Sequence, residues 1–361
     1  MTPVVLDTRS LLDKINKILS KTKITSVFIG WNKDSDLSDI VQYLKRNGAE
    51  IYLWLPVFSE LDSLVDFSPL IIGQGREKAE ISFSIGTEES FLFYCPSSNI
   101  EKIISIYERY YNSDIYDGVF LDKIRYPSFI GGIQTVISCY CDYCMAGYDF
   151  PEPGMLLSAN AANPLGIVSY KDLHYRLDEG FEKLFDRKCD VIYHSLENLC
   201  TYFRGKGMKI GFDLFAPFLA YFVGQDYSRI LGLADFVKPM FYGMTNAPAG
   251  MPFEIDMYAK AFDDDSGNFE KRKKSFMDIV GCGDDFIGKE ITGIKRIIDS
   301  NAYQTKLYAG IELNYIERIA PVTKEYIRES VTKISKCDGV VASWDLNTIS
   351  DSHIDCFLES I

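Results

Sequence analysis

The chain has 361 residues, of which 47% are hydrophobic and 25% charged, a globular balance that excludes disordered and fibrous classes. Its net charge of -13 excludes a phosphate-neutralising face, so neither nucleic acid nor an anionic membrane surface is expected as a partner. No run of about 18 apolar residues appears, so no membrane span is expected.

The opening stretch "MTPVVLDTRSLLDKINKIL" lacks the apolar centre of a signal peptide. With nine cysteines, an odd number, this predicts free thiols in a reducing, cytoplasmic compartment.

In chain order, short apolar runs alternate with helical patterns. "PVVLD" (3–7) reads as a first strand and "LLDKINKIL" as a helix. "TSVFIGW" (25–31) is the second strand, and "DLSDIVQYLKRNG" is a helix closed by glycine. "AEIYLWLPVF" (49–58) is the third. After it, "AEISFSIGTEESFLFYC" reads as a hairpin turning at Gly86-Thr87. An alternative makes Phe91–Cys95 a barrel strand in place of 3–7.

"NIEKIISIYERYYNS" is helical, and "DGVFLD" (117–122) is the fourth strand. A long helix is predicted from Tyr170 to Gly207, then strands "KIGFDLF" (209–215) and "DFVKPMFY" (235–242) with "YSRILGLA" between them. "KEITGIKRIIDSN" precedes "KLYAGIEL" (306–313), and "TKEYIRESVTKISK" precedes "GVVASWDL" (339–346).

Eight strands in alternation with helices predict a single (β/α)8 barrel domain over residues 1–361, a fold of roughly 250 to over 400 residues. The competing doubly wound sheet would show a Gly-x-Gly-x-x-Gly turn, which is missing. Long insertions at about 59–97, 127–169 and 243–285 all leave the C-terminal ends of strands, the face that carries the active site in such barrels.

Side chains late in those strands ring one mouth. Trp31, Trp54 and Trp344, the only three tryptophans, all fall there and offer flat faces for sugar rings. Asp122, Asp213 and Glu312 each end an apolar strand body. Two carboxylates flanking a glycosidic bond, about 5–5.5 Å apart for retention or about 6.5–9.5 Å for inversion, are the usual equipment of a glycosidase. Asp122 pairs with Glu312 across the barrel or with Asp213 on the next strand. Arg125, Tyr126, Lys238, Tyr242, Asn246 and Asp345 complete the expected hydrogen-bonding rim.

"DGVFLDKIRYPS" (117–128) resembles the fourth-strand signature of bacterial glycoside-hydrolase-like barrels, Asp-Gly-Ile/Val-x-Leu-Asp-x-Ile-Arg-Tyr-Pro. "CPSSNIEKI" (95–103) and "DFVKPMFYG" (235–243) are similar to that group's turn before a helix and its sixth strand. The resemblance implies a (β/α)8 barrel acting on or binding carbohydrate, Asp122 as a catalytic carboxylate, and Arg125, Lys238 and Tyr242 as pocket residues. The large retaining clan carries Asn-Glu where this chain has Leu121-Asp122, so its assignment does not transfer.

"CYCDYC" holds Cys139, Cys141 and Cys144, three thiols at structural-zinc spacing, with Cys95, Cys189 or His174 as the possible fourth ligand. Catalysis itself needs no cofactor on this reading. Histidine is too sparse, with three in the chain, for a metal-dependent amidohydrolase or a Ser-His-Asp triad. The expected function is hydrolysis of an oligo- or polysaccharide. The alternatives are a non-catalytic carbohydrate-binding barrel and a lyase or aldolase using Lys238. Oligomeric state is not readable from these residues.

Overall fold

A computed structural model describes residues 8–31, 37–61, 63–72, 77–78, 80–84, 88–146, 157–158, 160–262 and 267–361. Seven parallel strands form one sheet in sequential order: β1 (Ser26–Gly30), β2 (Glu50–Pro56), β3 (Gly118–Asp122), β4 (Lys209–Phe215), β5 (Phe236–Met240), β6 (Lys306–Glu312) and β7 (Gly339–Ser343). These match seven of the eight predicted strands. The predicted strand at 3–7 lies outside the described residues.

Helices of seven or more residues are α1 (Thr8–Leu19), α2 (Ser38–Arg46), α3 (Ile100–Ile106), α4 (Glu179–Gly205), α5 (Met251–Lys260), α6 (Phe269–Val280), α7 (Phe286–Ser300), α8 (Lys324–Lys333) and α9 (Asp351–Leu358). Helix α1 is tied to the far end of the chain through the Lys14 ammonium. It donates to the carbonyls of Leu346, Asn347 and Ile349 at 3.0, 2.7 and 2.8 Å. Among the described residues, no helix is long and apolar enough to cross a membrane.

Alternation along each strand separates two cores. In β3, Val119 and Leu121 are fully buried in the main hydrophobic core, whereas Phe120 belongs to a separate cluster with Tyr52 and Phe236. Phe28, Trp54 and Tyr308 pack on that cluster, so five strands contribute an inward ring. Phe28 stacks on Phe120 at 4.2 Å between centroids, and Tyr52 meets Phe236 edge-on at 5.2 Å.

Each such buried aromatic contributes roughly 1.5–3 kcal/mol by leaving water. Together they plug the interior of the curved sheet and give the layer above them a floor. Glycine makes this ring possible: a Cβ on Gly211 would lie 2.0 Å from the Phe236 ring.

Two readings of the sequence change. The stretch predicted to be helical from Tyr170 instead opens with a hairpin, Ser169–Lys171 against His174–Arg176, and α4 starts only at Glu179. Asp172 and Leu173 sit at φ 52° and 64°, left-handed values that no helix tolerates.

The expected hairpin before α3 holds, and the alternative of a barrel strand at Phe91–Cys95 does not. Glu88–Leu92 pairs antiparallel with Glu80–Ser84, and Phe93 and Tyr94 bridge to Ser59 and Pro69. The segment after β5 contains two helices that the sequence reading treated as loop, α5 and α6.

Candidate active site

The layer above the aromatic floor is polar. Strand register sets it: Asp213 of β4 is level with Lys238 of β5, and Pro56 of β2 with Asp122 of β3. The pair Phe212 and Leu121 precedes Asp213 and Asp122 by one residue, so the two carboxylates occupy one level on adjacent strands. Parallel neighbours lie about 4.8 Å apart. The Lys238 ammonium donates to Asp213 Oδ2 at 2.7 Å and to the Tyr242 hydroxyl at 2.9 Å. Gly310 on β6 leaves room for the lysine stem, since a Cβ there would stand 2.7 Å from Lys238 Cε.

Asp122 is held by two donors, the Trp54 indole N–H at 3.1 Å on Oδ2 and the Lys123 amide N–H at 2.5 Å on Oδ1. Burial raises its pKa, while Lys238, the Lys123 amide, Arg125 and the indole pull it back. Asp213 is pushed up to about 7 by burial and by the neighbouring Asp122 charge, against the pull of Lys238. Its Oδ1 has no hydrogen-bond partner among the described residues. Burial works to lower the pKa of Lys238, yet Asp213 and Tyr242 outweigh it, and the group stays a charged ammonium.

A cavity of about 1660 Å³ runs the length of the sheet between β1 and β7, from Thr25 and Lys306 at the N-terminal strand ends up to this layer, where Trp54, Asp122, Arg125, Asp213, Lys238, Tyr242, Trp344 and Asp345 line it. The Arg125 guanidinium lies over the rings of Phe215 and Phe93, at 4.3 and 5.2 Å, and donates to the Tyr126 carbonyl. Trp344 is 39% exposed and meets Tyr242 edge-on at 6.2 Å between centroids.

The other expected residues sit elsewhere. Trp31 is half-buried and packs on the main core, and Asn246 is exposed; neither lines the cavity. Tyr126 is buried behind it, its hydroxyl 3.3 Å from Cys144 Sγ.

Glu312 is 1% exposed and outside the cavity lining. Its carboxylate accepts from the Met244 N–H at 3.1 and 3.2 Å and from the hydroxyls of Thr245 and Tyr326. It ties the segment after β5 to α8.

A further pair at the mouth was not foreseen: Lys123 forms an ion pair with Glu60, and both line the cavity. The position of Lys123, directly after Asp122, was the available signal.

The fold has known counterparts. The chain is similar to the PgaB (BpsB) glycoside hydrolase domain from Bordetella bronchiseptica, at 14% identity and a TM-score of 0.57, covering 97% of this chain and 92% of that one. The fold is that of glycoside hydrolase domains. It is also similar to the beta-galactosidase of the psychrophilic Marinomonas ef1, at 10% identity and a TM-score of 0.54. That match covers 98% of this chain and 57% of the larger enzyme. No family model matches the sequence, and no curated protein matches it.

The cysteines of the "CYCDYC" stretch converge on Cys95. The Sγ atoms of Cys95, Cys139, Cys141 and Cys144 all lie within 4.8 Å of one another, and all four residues are buried. His174 is exposed, and Cys189 directs its thiol to the Tyr221 carbonyl.

Proposed function

We propose that the chain is a glycoside hydrolase that cleaves an oligo- or polysaccharide with Asp122 and Asp213 as its carboxylate pair. The observation that carries this is their position: two acids at one level of adjacent strands, over an aromatic floor, at the base of a large cavity with two indoles.

The roles follow from their surroundings. Asp122 accepts two N–H donors that favour its charged form, and serves as nucleophile or base. Asp213, pushed up to about 7, keeps a proton to give to the leaving oxygen. Trp54 and Trp344 would face the sugar rings, while Arg125, Tyr242 and Asp345 would bond hydroxyls.

Glu312, the partner expected across the barrel, has its lone pairs filled by Met244, Thr245 and Tyr326, and on this reading is a structural acid.

On this reading the curved sheet belongs to a (β/α)8 barrel, although among the described residues its end strands β1 and β7 do not pair and the cavity runs between them. The chain is read as one domain.

The Asp213–Lys238 ion pair favours a second reading, a barrel that binds carbohydrate without cleaving it, because a paired acid is a poorer proton donor. A lyase reading would need Lys238 as a free amine, and its Nζ is engaged by Asp213 at 2.7 Å and by the Tyr242 hydroxyl at 2.9 Å.

A panel of aryl glycosides and polysaccharides decides between the first two. The parent protein turns over at least one member, and Asp122→Asn keeps binding while losing turnover. If the parent binds saccharide and cleaves none, the catalytic reading falls and the binding reading stands.

A further inference from the structure

We infer that Cys95, Cys139, Cys141 and Cys144 form a tetrathiolate zinc site, and that this ion fixes the Arg125–Tyr126 strap against the candidate active site. The geometry is that of a closed structural centre. Cys95 Sγ lies 3.4 Å from Cys141 Sγ and 3.5 Å from Cys144 Sγ, and all four cysteines are free thiols. Zinc–sulfur bonds of about 2.3 Å in a tetrahedron place sulfurs about 3.8 Å apart, so only a small expansion admits the ion.

Backbone and hydroxyl donors already face the sulfurs. The Ile71 N–H points to Cys139 Sγ at 3.3 Å and the Cys144 N–H to Cys141 Sγ at 3.4 Å. Ser97 Oγ lies 3.3 Å from Cys95 Sγ and 3.4 Å from Cys144 Sγ, and the Tyr126 hydroxyl is 3.3 Å from the latter. Such donors stabilise thiolate charge around a metal. Loading breaks four S–H bonds, forms four Zn–S bonds and releases the protons to solvent, with no change of oxidation state.

A centre built from four thiolates and Zn²⁺ carries two net negative charges. Lys188 packs behind the site: it is buried, its Nζ is 4.7 Å from the Tyr126 ring centre, and it donates to the carbonyls of Val136 and Phe222.

The ligands come from two excursions of the chain. Cys95 lies near the end of the one between β2 and α3, and Cys139, Cys141 and Cys144 sit in the one after β3. Tyr126 lies only four residues past Asp122, and its amide is also pinned to the Val223 carbonyl at 2.9 Å. Arg125, the next residue back, reaches the cavity over Phe93, two residues before Cys95. Joining the two excursions through one ion therefore sets where Arg125 stands beside Asp122. The catalytic consequence rests on the glycosidase reading; the metal site does not.

Metal analysis of protein purified without added metal, with hydrogen exchange before and after chelation, tests both halves. The expected result is about one zinc per chain. That zinc is lost in Cys139→Ser and Cys144→Ser, and the cobalt(II)-exchanged protein shows the visible spectrum of a tetrahedral thiolate centre. Removing zinc is expected to speed exchange in residues 124–146 while the strands keep their protection. Asp122→Asn is expected to keep its zinc, so a failed glycosidase reading leaves this result untouched. Folded parent protein without zinc, its four thiols open to a thiol reagent, overturns the proposal. So does zinc removal that leaves exchange in 124–146 unchanged.

Discussion

Two groups of acidic side chains occupy the C-terminal end of the same sheet and are treated oppositely. Glu312 on β6 is enclosed, with an amide and two hydroxyls on its oxygens. Asp213, two strands away, is also buried but leaves Oδ1 without a hydrogen-bond partner among the described residues, and it shares its level with Asp122. A buried carboxylate surrounded by donors is satisfied in place; one with an unfilled oxygen beside another acid is a candidate for chemistry. Burial alone therefore does not distinguish the two groups, but their hydrogen-bond complements do.

The sharpest way to break this contrast is Asp213→Asn. Removing a general acid costs about 10²- to 10⁴-fold in kcat. The account predicts a loss of that size with native circular dichroism, and activity within tenfold of the parent would erase the distinction. The next effect is in pH. In the proposed role Asp213 acts protonated, and its pKa is raised to about 7, so log kcat/KM should fall by about one per pH unit above about 7. A profile flat from about 6 to 9 would remove Asp213 as the acid.

Glu312→Gln probes the other side. Hydrogen bonds to a charged group contribute about 1.5–3 kcal/mol, so the melting temperature should fall while kcat on the best substrate stays near the parent's. The smallest effect is expected at Trp344→Ala. Aromatic contact of about 0.5–1.5 kcal/mol corresponds to a rise of roughly 2- to 12-fold in KM, with kcat little changed.

The strands were readable because each is a local signal: an apolar run ended by a polar or small residue, as in "DGVFLD" or "KIGFDLF". Asp122, Asp213, Lys238 and Tyr242 followed from strand ends alone, since alternation and register fix where those side chains point. The complement around Glu312 was not readable, because Thr245 and Tyr326 approach from other elements 67 and 14 residues away in sequence.

Cys95 shows the same limit. The sequence offered three candidate fourth ligands, and only the packing of two distant excursions brings one of them to Cys139, Cys141 and Cys144. The hairpin at Ser169–Arg176 was hidden because Tyr170, Leu173 and Leu177 mimic helical spacing, while the left-handed Asp172 and Leu173 carry no glycine or asparagine signal.

The most direct test sets Asp122→Asn beside Glu312→Gln on one substrate, measuring kcat together with thermal stability. The account predicts a loss of at least ~10³-fold for the first with its fold intact, and a destabilised but active enzyme for the second. Full turnover by Asp122→Asn, with turnover abolished in a stably folded Glu312→Gln, would contradict it.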